Sequence, residues 1–404
     1  MSGAHTITLP TAAGTLAPYT LRASAPIVPA APGNAFNRIA YSAAHVVADP
    51  RAAIDPWLQC AVDWDATIAY RVRLWRMGLG VAEAMDTAQR GMGLDWPTSL
   101  ELIRRSLAAA RSVPGARIAC GCGTDHLAPE AARTVDDVIR AYDEQMEAIE
   151  REGGRLIVMA SRALVRVARG PADYERVYDH VLRQAREPVL LHWLGDMFDP
   201  ALSGYWGTDD VDAAMQTALG IIRSHAAKVD GIKISLLDKQ REITMRRLLP
   251  ATGGLDGRGV RMYTGDDFNY AELIAGDGAG DAPVHRQSDA LLGIFDAIAP
   301  AASAALAALA AGDEERFHAL LEPTVPLSRH IFRVPTRYYK TGVVFMAWLN
   351  GHQSHFTMVG GQQSTRSLVH LAELFRLADA AGLIEQPGLA LHRMRTLLAL
   401  HGVE

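Results

Sequence analysis

A lysine stands in the middle of a strand-like run, Val229-Asp230-Gly231-Ile232-Lys233-Ile234-Ser235-Leu236. Side chains alternate between the two faces of a strand, so Gly231, Lys233 and Ser235 share one face and Ile232, Ile234 and Leu236 the other. In a barrel the isoleucine face packs on the surrounding helices and the lysine face points inside. A lysine held there is stripped of water, which favours its neutral amine, and a neutral amine adds to ketones and aldehydes to form an imine. The plainer reading is a structural lysine paired with an interior carboxylate, and spacing alone leaves both open. Only four of the forty basic residues are lysines: Lys228, Lys233, Lys239 and Lys340. Arginine meets the generic need for positive charge, so the surviving lysines point to work that only an amine can do.

A second group able to move protons is His192, in the run PVLLHWLG (188–195). Histidine titrates near neutrality and suits proton transfer next to an imine; a core histidine bonded to a backbone carbonyl is the alternative. Further polar residues gather where apolar runs end: His45, Glu83 with Asp86, Asp125 with His126, Trp193 and Asp196 beside His192, and Asp266 with Asp267 and Asn269. On one rim they suit a polar, polyhydroxylated substrate. Singly, an aspartate after a strand more often caps a helix, and Asp267 reads that way. Glu83 fits a role in bonding loop amides. The candidate site therefore comprises Lys233 and His192 as catalysts, with His45, Glu83, Asp86, His126, Trp193, Ser235, Asp266 and Asn269 as substrate contacts.

Repeated strand–helix units are required to hold such a rim. Short apolar runs occur at 38–48, 79–85, 117–123, 155–161, 188–195, 229–237 and 259–265, separated by longer amphipathic segments. That alternation predicts a parallel sheet, and seven units in this length fit a (β/α)₈ barrel better than an open sheet. An eighth strand is expected in the Gly-rich stretch IAGDGAGDAPVHRQSD (274–289). Strand one is followed by ADPRAAIDP rather than a G-x-G-x-x-G loop, so a dinucleotide-binding fold lacks its phosphate cradle and no cofactor is expected. Ahead of the barrel, residues 5–23 read as a hairpin followed by a Pro-rich tether. Beyond residue 300 the pattern is helical only. The expected organisation is a hairpin and tether at 1–35, a barrel at 36–300 and a helical subdomain at 301–404.

With 49% hydrophobic and 21% charged residues, the 404-residue chain is ordinary for a globular protein. A formal charge of −5 without a basic tract argues against a nucleic-acid partner. No apolar stretch is long enough to span a membrane, and the N-terminus lacks the pattern of a secretory leader. Three cysteines, Cys60, Cys120 and Cys122, make no disulfide framework, and a lone Cys-Gly-Cys is not a zinc motif, so no metal is expected. These features read as a cytoplasmic protein.

The strand GIKIS in the sixth unit resembles the lysine strand of the dihydrodipicolinate synthase/N-acetylneuraminate lyase superfamily, class I aldolases and dehydratases that work through an imine. LGVAEAMDT resembles that family's second-strand loop, with Gly80 and Glu83 at its Gly-x-x-Glu element. YTGDDFNYAELIAGDGAG resembles the seventh-strand stretch, and FRVPTRYYKTGVVFMAWLNG the helical tail, with Lys340 at its characteristic lysine. The similarity runs over roughly residues 36–385, and AEAMDTAQRGMGLDW resembles an uncharacterised branch catalogued as a domain of unknown function. The resemblance implies a Schiff-base lyase on a keto acid or sugar-derived carbonyl compound, placed in carbohydrate metabolism and assembled as a homodimer or homotetramer. Two positions depart from it. Val81 and Ala82 stand where the family has hydroxyls for a pyruvate carboxylate, and His192 stands in place of its relay tyrosine.

Two other classes compete. A metal-dependent sugar isomerase or epimerase would gather Glu83, His126, His192 and Asp266 around a divalent ion, with Lys233 as an electrostatic helper. A non-catalytic ligand-binding barrel would use the same rim without turnover.

Overall fold

Eight short parallel strands close on themselves in chain order in the computed structural model, which describes residues 5–22 and 24–403. The start of the expected N-terminal segment, residues 1–4, lies outside the described residues, as do Ala23 and Glu404. An antiparallel pair, β1 (Thr6–Pro10) and β2 (Leu16–Thr20), precedes the barrel. The barrel itself comprises β3 (Ala40–Ala43), β4 (Gly80–Glu83), β5 (Ile118–Cys122), β6 (Leu156–Val158), β7 (Val189–Leu194), β8 (Val229–Ser235), β9 (Arg261–Thr264) and β10 (Asp289–Leu292). β10 pairs with both β9 and β3, which closes the cylinder and leaves no edge. The expected (β/α)₈ barrel is the observed one.

Strand eight corrects one expectation. The Gly-rich stretch forms a loop and a short helix at Pro283–Arg286, and the strand begins only at its last residue, Asp289. Four residues, Asp-Ala-Leu-Leu, complete the ladder, too short a run to show a period.

Alternation sorts the strand residues into two cores. Val189, Leu191, Trp193, Ile232 and Ile234 point outward into the helical shell. Tyr41, Ala82, Ala119, Ile157, Leu190, Tyr263 and Leu291 fill the lumen, large opposite small, so the barrel is a packed core with its open end at the strand C-termini. A bulge between β7 and β8 lets Asp230 turn to the barrel floor. There it accepts from the Tyr263 hydroxyl at 2.8 Å and pairs with Arg155 at 2.8 Å.

The hairpin lies outside the barrel, on the C-terminal helices Leu368–Ala380 and Pro387–Leu400. Ile7 and Leu9 are buried there, the Tyr19 hydroxyl bonds Asp379 at 2.6 Å, and Arg376 donates to the Pro10 carbonyl at 3.0 Å. The helix Tyr339–Leu349 is buried along its whole length. It carries Lys340 to the mouth of the barrel. Among the described residues no helix is long and apolar enough to cross a membrane.

Candidate active site

Lys233 sits in the sixth barrel strand, β8, in register with His192 on β7 and Tyr263 on β9. Partners in a parallel ladder share a face, so all three project into the lumen. Lys233 is 5% exposed, and burial pulls its amine below the ordinary lysine range, with Asp86 and Asp267 acting in the opposite direction. Among the described residues neither carboxylate closes an ion pair with it.

Gly265, just after β9, makes room for this side chain. A Cβ there would lie 2.4 Å from the Ile234 carbonyl, 2.4 Å from the Ser235 hydroxyl and 2.8 Å from Cε of Lys233. Backbone cannot give way to that extent, so Gly265→Ala is expected to cost about 1–3 kcal/mol of stability and to displace Lys233. Thermal denaturation and the rate of borohydride trapping at Lys233 check it; wild-type values in both would show that the glycine is incidental.

The groups around the amine are electrostatically distinct. Burial and the Lys233 charge push His192 down to about 3, against the pull of Asp86, so its ring is neutral across the physiological range. Its Nε2 lies 3.4 Å from the Ser235 hydroxyl. Burial works to raise Asp86, but the neighbouring His192 ring, the Lys233 and Lys340 ammonium groups and a backbone hydrogen bond outweigh it and hold the carboxyl below its ordinary value. Burial pushes Asp267 up to about 7, with Lys233 and the Ile294 N–H opposing. Asp267 accepts from that N–H at 2.9 Å and lies beside the lysine, while adjacent Asp266 spends its oxygens on the backbone of Phe268 and Asn269 at 2.8 and 3.0 Å. Asp266 is tied into the turn ahead of the helix Tyr270–Ala275, and Asp267, expected as a cap, is the carboxylate whose charge acts on Lys233.

Asp86, His192 and Lys340 line one cleft with Arg90, Asp125, Arg162, Asp199 and an apolar wall that includes Met159, Leu194 and Phe198. Of the other expected contacts, Ser235 is brought to His192, and the rest are dispersed. Glu83 lies behind the sheet, clamped by Arg71 at 2.9 Å through both oxygens and fully buried. His45 is held by Asp296 at 2.8 Å and packs on Tyr70. His126 bonds Gln145 at 2.8 Å and pairs with Glu144 at the protein surface. Trp193 is turned into the helical shell against Trp206, because its neighbour His192 faces inward. Asn269 donates to Asp266 at 2.8 Å. Glu83, His126, His192 and Asp266 thus stand apart, and among the described residues no three His, Cys, Asp or Glu side chains are grouped to hold a metal ion.

Sequence reasoning passed over several residues in and behind the cleft wall. Thr87 and Tyr339 join hydroxyls at 2.6 Å, and the tyrosine reaches Asp86 at 3.4 Å. Thr87 and Asp86 lie in the short turn after β4 (Asp86–Ala88), so the second-strand loop carries its polar groups a few residues beyond Val81 and Ala82. Lys340, like Lys233, was marked by the scarcity of lysine. No such signal pointed to Arg162 or Tyr339.

Comparison with solved structures places this arrangement among known barrels. A dihydrodipicolinate-synthetase-like protein from Pseudomonas aeruginosa superposes with a TM-score of 0.62 at 18% identity, covering 86% of this chain and 100% of that one. A prophage protein of the dihydrodipicolinic acid synthase family from E. coli K12, solved in complex with pyruvate, gives 0.60 at 12% identity, over 92% and 100%. Dihydrodipicolinate synthase from Oceanobacillus iheyensis gives 0.55 at 14%, over 84% and 96%. At such identities the likeness is one of fold. No curated protein matches the chain by sequence. One family profile spans residues 7–403, nearly the whole chain, and the chain therefore belongs to the family described as protein of unknown function (DUF993).

Proposed function

We propose that the protein is a lyase that works through an imine on Lys233, cleaving or dehydrating a small carbonyl substrate. The observation that carries this reading is the buried amine of Lys233, which has no ion-pair partner among the described residues and stands in register with His192, a residue that lines the cleft. The complex of the E. coli K12 relative with pyruvate, a keto acid, supports the same kind of substrate.

The chemistry follows from the groups present. The amine lone pair of Lys233 adds to the carbonyl carbon, the oxygen gains protons, and water leaves to give a protonated imine. That cation draws in the electron pair of the adjacent bond. In retro-aldol cleavage, the substrate hydroxyl gives its proton to a base as the carbon–carbon bond breaks, leaving an enamine and releasing an aldehyde or ketone. In dehydration, an α-proton is removed first and the β-hydroxyl leaves as water. Reprotonation and hydrolysis return the amine. Asp267, titrating near neutrality, takes the proton and gives it back, and the neutral His192 ring serves as a hydrogen-bond partner along the way. Asp86 balances the positive charge of the imine.

Incubating the protein with a panel of keto acids and hydroxy aldehydes in the presence of borohydride tests the proposal. The expected result is a stable mass increase on the peptide containing Lys233. A panel that leaves the lysine unlabelled under conditions that trap a known class I aldolase would remove the imine from the mechanism.

A further inference from the structure

We propose that Lys340 is the counter-charge for a single carboxylate on the substrate, and that the remainder of the substrate is largely apolar. The inference rests on the cleft being the substrate site proposed above, and it narrows what that site accepts.

The argument is an accounting of the polar groups in the walls. Arg90 is spent on Asp125, at 2.7 Å, and on Gln145. Arg162 holds Asp199 through Nε at 2.5 Å and lies at the solvent-exposed rim of the cleft, 37% exposed. The Thr124 hydroxyl is satisfied by Ser161 at 2.6 Å. Lys340 is the exception. Its ammonium is 3% exposed, donates to the Arg337 carbonyl at 2.9 Å, rests against the sulfur of Met92 at 3.4 Å and lies over the Tyr339 ring at 4.7 Å. Among the described residues no carboxylate closes an ion pair with it. Asp86 and Asp199 act on this charge from beyond ion-pair distance; a buried cation with no carboxylate in contact is costly, and this one borders an open cleft. One unmatched positive charge calls for one negative charge, which is a carboxylate rather than a phosphate dianion.

The remaining surface decides the rest of the ligand. Met92, Leu127, Met159, Leu194, Phe198 and Leu202 make the wall apolar. A polyhydroxylated chain needs many free donors and acceptors, and the walls have paired most of theirs with one another. The rim that suggested a sugar from sequence is mostly tied up in structural bonds.

Binding of unreactive probes tests this without any imine. Hexanoate, hexanamide, gluconate and hexyl phosphate are titrated against the intact protein by calorimetry. Hexanoate is expected to bind at least about ten-fold more tightly than hexanamide, the worth of one charge-assisted hydrogen bond, and more tightly than gluconate. Lys340→Met should erase that preference, and Lys340→Arg should restore part of it. A second measurement needs no variant. Burial pushes Lys340 down to about 8, with Asp86 and Asp199 opposing and Arg162 and Arg337 adding to it. Hexanoate affinity should therefore fall as pH rises past about 8, while hexanamide affinity stays level. Equal binding of acid and amide in the wild type, or an acid preference that survives both Lys340→Met and high pH, overturns the assignment. Tighter binding of hexyl phosphate overturns the choice of carboxylate, and tighter binding of gluconate the apolar body. Failure to label Lys233 with borohydride, by contrast, sinks the imine reading and leaves these titrations to be decided on their own.

Discussion

Lys233→Arg is expected to abolish borohydride labelling and to lower turnover of the physiological substrate by about three to five orders of magnitude. Arginine keeps the positive charge and stays protonated, so it cannot supply the lone pair that forms an imine. The substitution therefore separates a covalent lysine from an electrostatic one. Lys233→Met, which also removes the charge, should be equally inactive; a gap between the two variants would measure any purely electrostatic share. Both should keep the wild-type circular dichroism spectrum. Substantial turnover in the arginine variant would falsify the imine mechanism and with it the lyase assignment.

The second large effect is on stability, and it concerns the partner of Glu83, a residue that looked like a substrate contact. Arg71→Met should destabilise the fold by about 3–5 kcal/mol in urea denaturation. The guanidinium grips both oxygens of Glu83 at 2.9 Å, with neither side chain exposed, and also donates to the carbonyls of His45 and Thr67 behind the first-strand loop. Removing it strands a charged carboxylate that has only the Ser106 hydroxyl and the Ala84 N–H left. Replacing both partners, as Arg71→Met with Glu83→Leu, should recover much of the loss, because no charge is then buried alone. A single variant within 1 kcal/mol of wild type would mean that water reaches the pair. The same pairing explains why Glu83 is absent from the cleft, even though it ends a strand whose loop forms one of the cleft walls.

The faces of β8 were legible from seven consecutive residues, because a strand's period of two is a local property. Ile232 and Ile234 are in the helical shell and Lys233 in the lumen, as the alternation requires. The same rule applied to β7 separates His192 from Trp193: adjacent residues on one strand cannot both face the substrate. The seven other strands announced themselves by apolar runs set off by polar or turn residues. β10 did not, since its four residues run almost directly into the apolar helix Ile294–Ala297 and owe their strand geometry to the two neighbours that the closing barrel offers them.

Asp266 and Asp267 mark the point where local reading stops. Both follow β9 and both are carboxylates; the turn that starts the next helix takes the first, which leaves the second beside the amine. Lys340 lies further still from what sequence can decide. By itself the sequence determined the barrel, the inward lysine and its histidine neighbour, because periodicity and register act between residues close along the chain or on adjoining strands. Only the tertiary structure decided that a C-terminal helix buried on all sides would bring Lys340 to the cleft and the Tyr339 hydroxyl to Thr87 behind it, that Arg71 would claim Glu83, and that most of the rim's charges would pair with one another. Those choices depend on which surfaces pack together once the barrel closes, and packing joins residues whose separation along the chain carries no signal.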